Sequence, residues 1–592
     1  MSKAQTKQPV SGGGFLLSET DEERVFTPED FTDEHEMIFK TAHQFVEKEV
    51  EPHQEAIESQ DFNLVVSMLR KAGDAGLLGH SIPEAYGGLG LDKISKGIVG
   101  EAIGKSGGYG VAHANHTCIA TLPITYFGTA DQKQKYLPKL ASGEYIGAYC
   151  LTEPSAGSDA LSAKTKAELT SDKTHYVLNG TKIYITNAQF SDTFIVYAKV
   201  DGEKFTAFIV EKDFPGLSLG PEEKKMGIKG SSTRSVIMED CLVPVENVLG
   251  EIGRGHIIAL NVLNLGRFNL GSACVGAAKY GLELALAYTN ERKQFKRTIA
   301  AFGATKEKIA QMTARIYAAE SLQYRTAGLL EEALGDVDDG DDHKQIGKQM
   351  MAYVMECAVC KVYSSETLDL VVDESLQLHG GNGFINEYRI EQMYRDSRIN
   401  RIFEGSNEIN RLLIPGLLYK KAAKGEIALE TIIADAKKAL HEPPSKTGDI
   451  LSEERQAVAS IRRVFLLLAG LAYETLGEEL EEAQETLMKL SDIAIQLYAT
   501  ESAVLRSVKA ITKNGENKET MKQLLAVSLV SDTMIDVEGI ARKLASGMLS
   551  GEQLSEVNRL ITGTFGTYCA EDVVSCNRAI ADRINEKQRY TC

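Results

Sequence analysis

The strongest constraint on the fold of this chain is a change in the spacing of its apolar residues. Over residues 32–147 the apolar side chains recur at helical spacing, as Phe39, Ala42 and Phe45 do. Over residues 148–251 the spacing shifts towards two, in segments such as YVLNGTKIYI, TFIVYAKV and FTAFIVEK. A period of two is typical of β-strands, so the sequence predicts a β domain between helical regions.

The dipeptide Asn179-Gly180 is a strong hairpin signal and predicts a turn inside an antiparallel middle domain. Helical spacing then returns, with long helices predicted over Ala301–Gly335 and Lys344–Leu378. A chain of 592 residues exceeds the size of a single core. The predicted fold class is mainly α with a central β domain, in these units: a flexible N-terminal arm (1–31, with SGGG at 11–14), an N-terminal helical domain (32–147), a middle β domain (148–251), a helical bundle (252–440), a linker (441–449) and an additional C-terminal helical domain (450–592).

Composition limits the classes of function. The net charge of −18 argues against a nucleic-acid-binding protein, although local arginines can still bind phosphate. The nine dispersed cysteines and the lack of a signal-like N-terminus favour a reduced, cytoplasmic protein. Cys357-x-x-Cys360 lies in an apolar helical run and predicts core packing, and no metal site is expected.

Membrane association is predicted to be peripheral at most. The longest apolar run, Val464–Tyr473, is about half the length needed to cross a bilayer. Residues 416–440 mix lysines with apolar positions. They suit either an amphipathic helix on the protein or contact with a membrane surface.

The segment 377–408 contains one isolated carboxylate, Glu404, between Phe403 and Gly405. Burial beside an apolar neighbour would raise its basicity, and the glycine would let a substrate approach the backbone. This arrangement suits removal of a weakly acidic C–H proton. A surface or helix-capping glutamate is the alternative.

Four motifs occur in a fixed order along the chain: AYCLTEPSAGSDA (148–160), KIYITNA (182–188), GRF with ERKQF (266–268 and 291–295), and HGGNGF followed by RIFEGSNE. In this order they resemble the acyl-CoA dehydrogenase flavoprotein family. The resemblance is dense over about residues 75–415 and is strongest to the very-long-chain type, which has an extra C-terminal helical domain. It implies an N-terminal helical domain, a middle β-barrel and a C-terminal helical bundle.

The resemblance implies FAD as cofactor. It places Arg292 across a subunit interface at the FAD pyrophosphate of a partner subunit, and an arginine fork suits a diphosphate. Tyr184 departs from the family, where tryptophan is common at this position, and this chain has no tryptophan. The cofactor-binding residues implied are Cys150, Leu151, Thr152, Ser158, Tyr184, Ile185, Thr186, Arg292, Phe295, Gln377, Gly380, Gly381, Ser406 and Asn407.

Structural alternatives remain open for several of these residues. Tyr184 suits an ordinary cross-strand position, and Arg292 suits a solvated helix end. Ser406 and Asn407 are good helix N-caps. Arg267, in a helix-like run, suits a buried ion pair.

The reaction implied is the conversion of long-chain fatty acyl-CoA to trans-2-enoyl-CoA in β-oxidation, with electrons passed to an electron-transfer flavoprotein. Glu404 is the implied base, because Gly266 stands where some relatives carry the catalytic glutamate. Substrate contacts are implied for Ser158, Arg267, Phe403 and Gly405, with Tyr149 as a further lining residue. Alternatives are an acyl-CoA oxidase and a scaffold protein on the same fold. A homodimer is implied, with a tetramer as the alternative.

Overall fold

The predicted succession of helical, β and helical regions is present in a computed structural model that describes residues 12–335, 337, 343–440, 449–568, 570 and 572–592. Residues 1–11 of the predicted arm lie outside the described residues. Apart from Asp449, so does the predicted linker 441–449.

Seven α-helices precede the sheet in the described chain. They are α1 (Asp33–Phe45), α2 (Gln54–Glu58), α3 (Phe62–Asp74), α4 (Lys93–Gly104), α5 (Gly108–Asn115), α6 (Leu122–Phe127) and α7 (Ala130–Ser142). Asp61 caps α3 by accepting a hydrogen bond from the Leu64 N–H at 3.0 Å. Of the two π-helical turns in this region, His116–Ala120 joins α5 to α6, and Val46–Val50 follows α1. Such turns redirect side chains within a helix and are frequent at functional sites.

The middle region is one eight-stranded sheet. Its strands are β1 (Gly147–Cys150), β2 (Lys166–Leu169), β3 (His175–Thr186), β4 (Thr193–Val200), β5 (Lys204–Glu211), β6 (Leu217–Leu219), β7 (Thr233–Pro244) and β8 (Val248–Leu249). The order is β6-β7-β3-β2-β4-β5-β8, with β1 beside β4. The expected antiparallel sheet is in fact mixed, because β4 pairs in parallel with both β1 and β2. Neither strand is joined to β4 by a tight turn, so parallel pairing is possible.

The hairpin predicted at Asn179-Gly180 is wrong. Both residues lie inside β3, where the register with β7 shifts between Leu178 and Gly180. The Asn179 side chain exchanges hydrogen bonds with Asp240 across this irregularity, at 2.8 Å and 3.1 Å. The glycine therefore serves a β-bulge, while the chain turns earlier, between β2 and β3.

Long helices follow the sheet, interrupted by a small hairpin. The elements are α8 (Gly255–Glu291), β9 (Lys293–Gln294), β10 (Arg297–Thr298), α9 (Gly303–Leu334), α10 (His343–Met350), α11 (Val354–His379), α12 (Arg389–Ser397), α13 (Asn407–Ala423) and α14 (Leu429–Ala439). The single helix predicted over Lys344–Leu378 is divided into α10 and α11 at Met351–Tyr353. Cys357 and Cys360 are buried in α11, as predicted.

Helices α8 and α11 run parallel in the core. A Cβ added to Gly271 of α8 would meet the Cys360 carbonyl at 3.2 Å, so the two backbones approach closely there. Further along, Gly281 faces Val371, and the ring of Tyr288 stacks on His379 at 4.3 Å. The C-terminal ends of both helices therefore lie together.

The last region is helical in its described residues, with α15 (Ser452–Leu476), α16 (Gln484–Asn514), α17 (Thr520–Met548), α18 (Gly551–Phe565) and α19 (Val573–Lys587). By length and composition alone, one helical stretch of the described chain, Ser452–Glu481, could cross a membrane, with mean hydropathy 1.3. Within the protein 83% of its apolar window is buried. This stretch is a core element of the C-terminal helices.

The prediction of a flexible arm is wrong for residues 12–31. This segment forms short 3₁₀-helices and packs on the C-terminal helices. Phe15 is buried with its ring centroid 4.6 Å from that of Tyr498. Glu29 forms an ion pair with the buried Arg506 at 2.8 Å. Buried apolar area and paired charge outweigh the flexibility that the glycines would give the segment.

Residues 416–440 pack on the protein. Leu429, Ile433 and Ala436 of α14 are buried, and Ile433 lies against Gly470 of α15. Their apolar face is covered, which favours the amphipathic-helix alternative over membrane contact.

Candidate active site

Glu404 lies in the wall of a cleft bounded by the N-terminal helices, α8 and α12. The cleft opens to solvent, and together with its mouth it spans about 940 Å³. Apolar side chains dominate its surface, which suits a hydrocarbon chain. The apolar wall residues include Val111, Ala114, Cys118, Ile119, Leu270, Ala273, Ala277, Leu368, Met393 and Phe403.

A tight turn ahead of α13 aims Glu404 across this cleft. Glu404 and Gly405 both have positive φ, 57° and 76°. For a glutamate this conformation costs about 1–2 kcal/mol, so the surrounding contacts must hold it. On the facing helix, a Cβ added to Gly266 would lie 2.8 Å from Oε2 of Glu404. The absent side chain at Gly266 is what makes room for the carboxylate.

The Glu404 carboxyl group is more basic than an ordinary glutamate, and one of its oxygen atoms is free to accept a hydrogen bond. Its Oε2 is buried and has no hydrogen-bond partner in the described part of the chain. Burial raises the pKa of Glu404 from 4.5 to about 7, and the positive charges of Arg267 and Lys361 limit the rise. A carboxylate with these properties can accept a proton near neutral pH.

Three side chains hold the carbonyl groups of the turn. Arg267 Nε donates to the Glu404 carbonyl at 3.3 Å, and Lys361 Nζ donates to the Gly405 carbonyl at 2.9 Å. Asn410 Nδ2 donates to the Gly405 carbonyl at 2.8 Å. The backbone N–H of Glu404 meets no acceptor among residues that the structure describes. It is available to an oxygen atom of a ligand.

Arg267 was predicted here, whereas Lys361 and Asn410 were not. Lys361 is fully buried, yet its neighbours in sequence form the apolar run MMAYVMECAVCKVY. A single charge inside such a run is a signal that could have identified it, because buried lysines need partners. Asn410 gives no comparable signal.

Ser406 and Asn407 occupy structural positions at the start of α13. Ser406 is the N-cap and accepts from the Ile409 N–H at 3.4 Å. The buried Asn407 amide accepts from Lys361 at 2.6 Å and donates to Ser365 at 3.2 Å. Their predicted cofactor role stays a prediction, and the Asn407 side chain already has partners within the chain.

The structure brings two of the predicted cofactor segments together. The Ile183 N–H donates to the Thr152 carbonyl at 2.9 Å, which joins β3 to the segment after β1. Thr186 lines the Glu404 cleft. Tyr184 has φ 60° and leaves 63% of its surface exposed. An exposed aromatic ring therefore stands on the same strand as a wall residue of the cleft.

The remaining residues of these segments differ in what they can offer a ligand. Cys150 and Ile185 are buried inside the sheet core, so only their backbone is available. Leu151 is buried and Ser158 is exposed. Tyr149 is buried, donates its hydroxyl to the Ala259 carbonyl at 3.4 Å and is not a wall residue of the cleft.

A second group of predicted cofactor residues lies at the far ends of α8 and α11. Stacking of Tyr288 on His379 places Arg292 near the glycine segment that follows α11. Phe295 leaves 88% of its surface exposed. Arg292, Phe295, Gln377, Gly380 and Gly381 are all exposed.

Four family models match successive regions of the chain. Models of the acyl-CoA dehydrogenase N-terminal, middle and C-terminal domains match residues 32–144, 148–241 and 253–415. A further acyl-CoA dehydrogenase C-terminal domain model matches residues 460–558.

Individual relatives agree. A probable acyl-CoA dehydrogenase of Bacillus subtilis is 48% identical over 588 residues, covering 98% of each chain. The very long-chain specific acyl-CoA dehydrogenase of Bos taurus mitochondria is 35% identical over 491 residues, covering 76% of this chain and 71% of the relative. A crystal structure of an acyl-CoA dehydrogenase complexed with FAD from Bacillus anthracis superposes with a TM-score of 0.96 at 47% identity, covering 98% of this chain and all of the other.

Proposed function

This chain belongs to the acyl-CoA dehydrogenase family, and on that premise we propose that it oxidises long-chain fatty acyl-CoA thioesters to trans-2-enoyl-CoA and passes the electrons to an electron-transfer flavoprotein. One observation carries the proposal. A buried, unpartnered carboxylate with a pKa of about 7 lies in the wall of a large apolar cleft.

FAD is the cofactor of this family, and the residues present fit it. Tyr184 offers an exposed aromatic face on the same strand as Thr186, which lines the cleft, and Thr152 is hydrogen-bonded into the adjoining segment. When bound, FAD supplies the acceptor for the hydride that leaves the β-carbon of the acyl chain.

The chain's own residues supply the proton chemistry. Glu404 removes the α-proton of the thioester, for which its raised pKa and free Oε2 are suited. The free N–H of Glu404 donates to the thioester oxygen, where negative charge develops. Arg267 and Lys361 fix the turn that aims both groups.

Two features support long-chain substrates. The wall of the cleft is apolar and contains several small residues, including Gly266, Ala273 and Ala277. The additional C-terminal helices are matched by a family model beyond the three domains of the core fold. Each further methylene that a longer chain buries against this apolar wall adds about 0.8 kcal/mol to the free energy of binding.

We also propose a homodimer as the functional unit. Gly266 lies beside the base, whereas Arg292 follows the other end of α8. From Gly266 to Glu291 this helix spans about 38 Å at 1.5 Å per residue. Arg292 is therefore too far from Glu404 of its own subunit for both residues to contact one FAD molecule. Arg292 can contact the FAD that lies beside Glu404 only if that Glu404 belongs to a second subunit. The exposed Phe295 beside it supports an interface there.

Anaerobic mixing of the purified holoenzyme with palmitoyl-CoA tests the reaction. We expect the flavin absorbance to bleach in the wild type and in the control Glu408→Gln, whose glutamate is exposed four residues away. Glu404→Gln should not bleach. Bleaching that survives Glu404→Gln would overturn the assignment of the base.

The electron acceptor is tested separately on the reduced enzyme. Rapid reoxidation by an electron-transfer flavoprotein, with slow reoxidation by oxygen, is expected. Fast reoxidation in air alone would identify an acyl-CoA oxidase. A purified protein without FAD would favour a scaffold role.

A further inference from the structure

The Glu404 cleft is elongated, with the base at one end. At that end a Cβ added to Gly266 would lie 2.8 Å from Oε2 of Glu404 and 3.2 Å from Ile119. The wall then follows α8 as far as Ala277. From Gly266 to Ala277 the helix rises about 16 Å at 1.5 Å per residue. The cleft therefore has the length of an extended hydrocarbon chain.

Helix α12 marks the part of the cleft that is far from the base. A Cβ added to Gly281 of α8 would lie 3.7 Å from the Met393 methyl group. Met393 and Asp396, about one turn apart on α12, both line the cleft. On the opposite wall, a Cβ added to Gly107 would lie 2.8 Å from Oδ2 of Asp396. Asp396 therefore stands in the half of the cleft that is far from Glu404.

Ile228 is the strained residue of this far half. It lines the cleft from the loop between β6 and β7, and its φ is 48°. A β-branched residue in the left-handed region is a genuine outlier, because its side chain crowds the backbone. Ile228 packs into none of the apolar cores that the described residues form. Strain at a residue that no core uses points to a functional constraint.

Contacts on both sides of Ile228 hold the loop in this conformation. The Ile228 N–H donates to Oδ1 of the buried Asp396. The Ile228 carbonyl accepts from the N–H of Ser231 at 3.1 Å and from its hydroxyl at 2.8 Å. Arg395, beside Asp396 on α12, donates to the Met226 carbonyl at 3.0 Å. These hydrogen bonds fix the loop to α12 and keep Ile228 in the wall of the cleft.

Beyond Ile228 the wall becomes charged. Lys105 and Arg389 line the cleft there, and Arg389 donates to the Lys105 carbonyl at 3.4 Å. The Lys105 ammonium group lies 5.6 Å from the centre of the Tyr280 ring, which follows Ala277 on α8. A hydrocarbon chain that reached these groups would take water from them and offer no hydrogen bond in return. The part of the cleft that suits an alkyl chain therefore ends near Ile228.

Resting on the proposed function, we propose that Ile228 sets the length of acyl chain that the enzyme accepts, with Asp396 as the positioning residue that holds it. The ω-methyl group of a straight, saturated chain packs against Ile228 while the thioester lies at Glu404. The substrate class is then straight-chain acyl-CoA thioesters up to the length that fits between these two residues. Longer chains meet the isoleucine side chain and the charged groups behind it.

The test measures kcat/KM on the holoenzyme for a series of saturated acyl-CoA thioesters of increasing length. In the wild type, kcat/KM should rise by up to about fourfold for each added methylene and should fall beyond one length, the length limit. Ile228→Ala should raise this limit by about two methylenes, because alanine lacks the branched end of the side chain. Ile535→Ala, which removes an isoleucine that is 70% exposed on α17, is the matched control and should keep the limit. The same limit in the wild type and Ile228→Ala would overturn the proposal.

Ile228→Gly separates the side chain from the backbone strain. Glycine adopts a φ of 48° without strain, so Ile228→Gly should melt at a higher temperature than Ile228→Ala. Both variants lack the large side chain, and both should accept the longer chains. A raised limit in Ile228→Gly alone would overturn the role of the side chain, since loop flexibility would then be the cause.

Asp396 variants test the positioning role. Asp396→Ala removes the acceptor of the Ile228 N–H and should raise the length limit, as Ile228→Ala does. Asp396→Asn keeps an acceptor oxygen and should restore the wild-type limit. An Asp396→Ala enzyme that folds, binds FAD and keeps the wild-type limit would overturn this role.

Binding separates this inference from the proposed function. Calorimetric affinities of the same thioesters for the Glu404→Gln holoenzyme, with and without Ile228→Ala, report the length limit without turnover. A limit that moves with Ile228→Ala in binding, with no flavin bleaching by any thioester in the wild type, would sink the dehydrogenase proposal and keep the role of Ile228. Bleaching with an unchanged limit in binding would sink the role of Ile228 alone.

Discussion

Glu404 and Gly266 restrict each other across the cleft. The glutamate holds a left-handed backbone conformation, and its carboxylate fills the space that a side chain at Gly266 would take. Because the carboxylate is the flexible end of a side chain, it could yield to a methyl group at little cost in stability. The geometry of proton transfer is far less tolerant, since displacements of about 1 Å cost roughly a hundredfold in rate.

Gly266→Ala should therefore lower kcat by about ten- to a hundredfold while changing the melting temperature little. The added methyl would meet Oε2 at 2.8 Å and Ile119 at 3.2 Å. Flavin bleaching rates and calorimetry measure the two effects. Gly281→Ala on the same helix is the control, since its methyl would make only ordinary contacts, the nearest at 3.4 Å from Val371. A fall in rate as large in Gly281→Ala would contradict the steric explanation.

The pH dependence of the reaction follows from the same residue. The base must be ionised, and burial raises the pKa of Glu404 to about 7. We expect kcat/KM to rise about tenfold per pH unit below 7 and to level off above it. Lys361 lowers the pKa of Glu404, so Lys361→Met should move the inflection to higher pH. A rate that stays flat between pH 5 and 8 would contradict the assigned base, since that window is set by the value near 7.

Residues of the site differ in how far the sequence identified them. Glu404 and Arg267 were predicted together from motifs in a fixed order, and the structure places Arg267 Nε 3.3 Å from the Glu404 carbonyl. Lys361 and Asn410 act on backbone carbonyls of the turn, and any residue of the right reach could do so. Contacts of that kind depend on the packing of α11 against α13, which spacing alone does not give.

At the scale of elements, a buried ion pair supports the segment after β1. Lys182 of β3 is fully buried and lies 2.7 Å from the Glu153 carboxylate. Its ammonium group also donates to the Leu151 carbonyl at 3.3 Å. Glu153 in turn accepts from the Lys164 N–H at 2.6 Å. The ion pair therefore joins strand β3 to the predicted cofactor segment that contains Leu151 and Glu153.

Lys182→Met should destabilise the protein by about 3–5 kcal/mol, because the Glu153 carboxylate is left buried without its cation. Adding Glu153→Gln removes the stranded charge and should recover part of the loss. Calorimetry measures the melting temperatures, and gel filtration measures how much FAD remains bound. Lys204→Met breaks an ion pair whose two side chains are both more than half exposed. It is the control and should change stability by at most about 1 kcal/mol. Equal losses in both lysine variants would show that burial of the pair is not what matters.

Helices and strands were predictable where the apolar residues follow a single helical or β-strand spacing. The apolar stripe of α3 and the strands β4 and β5 follow directly from spacing in the sequence. Asn179-Gly180 misled because a turn dipeptide is a local signal, whereas β3 continues through it by pairing with β7. The parallel pairings of β4 depend on the path of the whole chain, and the local spacing of apolar residues does not report that path.

For the whole molecule, the N-terminal segment is where prediction and structure differ most. The glycines suggested a flexible segment. In the structure, residues 12–31 pack on helices that are hundreds of residues away in the sequence. The Gly13 N–H donates to Glu356 at 2.7 Å, and Arg462 donates to the Phe15 carbonyl at 2.9 Å. These contacts join the first residues described to α11 and to α15 of the C-terminal helices. Partners at this sequence separation leave no trace in the local pattern of the segment.

Glu29 tests this long-range contact. Arg506, which is 2% exposed, lies between Glu29 of the N-terminal segment and Glu320 of α9. Glu29→Gln leaves Arg506 with one carboxylate and should cost about 1.5–3 kcal/mol at neutral pH, the range for hydrogen bonds to charged groups. The expected result is a melting temperature lower by several degrees. Glu19→Gln, an exposed glutamate of the same segment, is the control and should leave it unchanged.

Acid should abolish the difference between wild type and Glu29→Gln. The pKa of Glu29 falls from 4.5 to about 2 because the charges of Arg506 and Lys522 outweigh its burial. A carboxyl group whose pKa is lowered by folding stabilises the native state above its unfolded pKa and loses that effect as pH falls. The gap in melting temperature should thus be full above about pH 4.5 and shrink towards pH 2. A gap that persists unchanged at pH 2 would show that Glu29 holds the two ends of the chain together through packing, and that its charge contributes little.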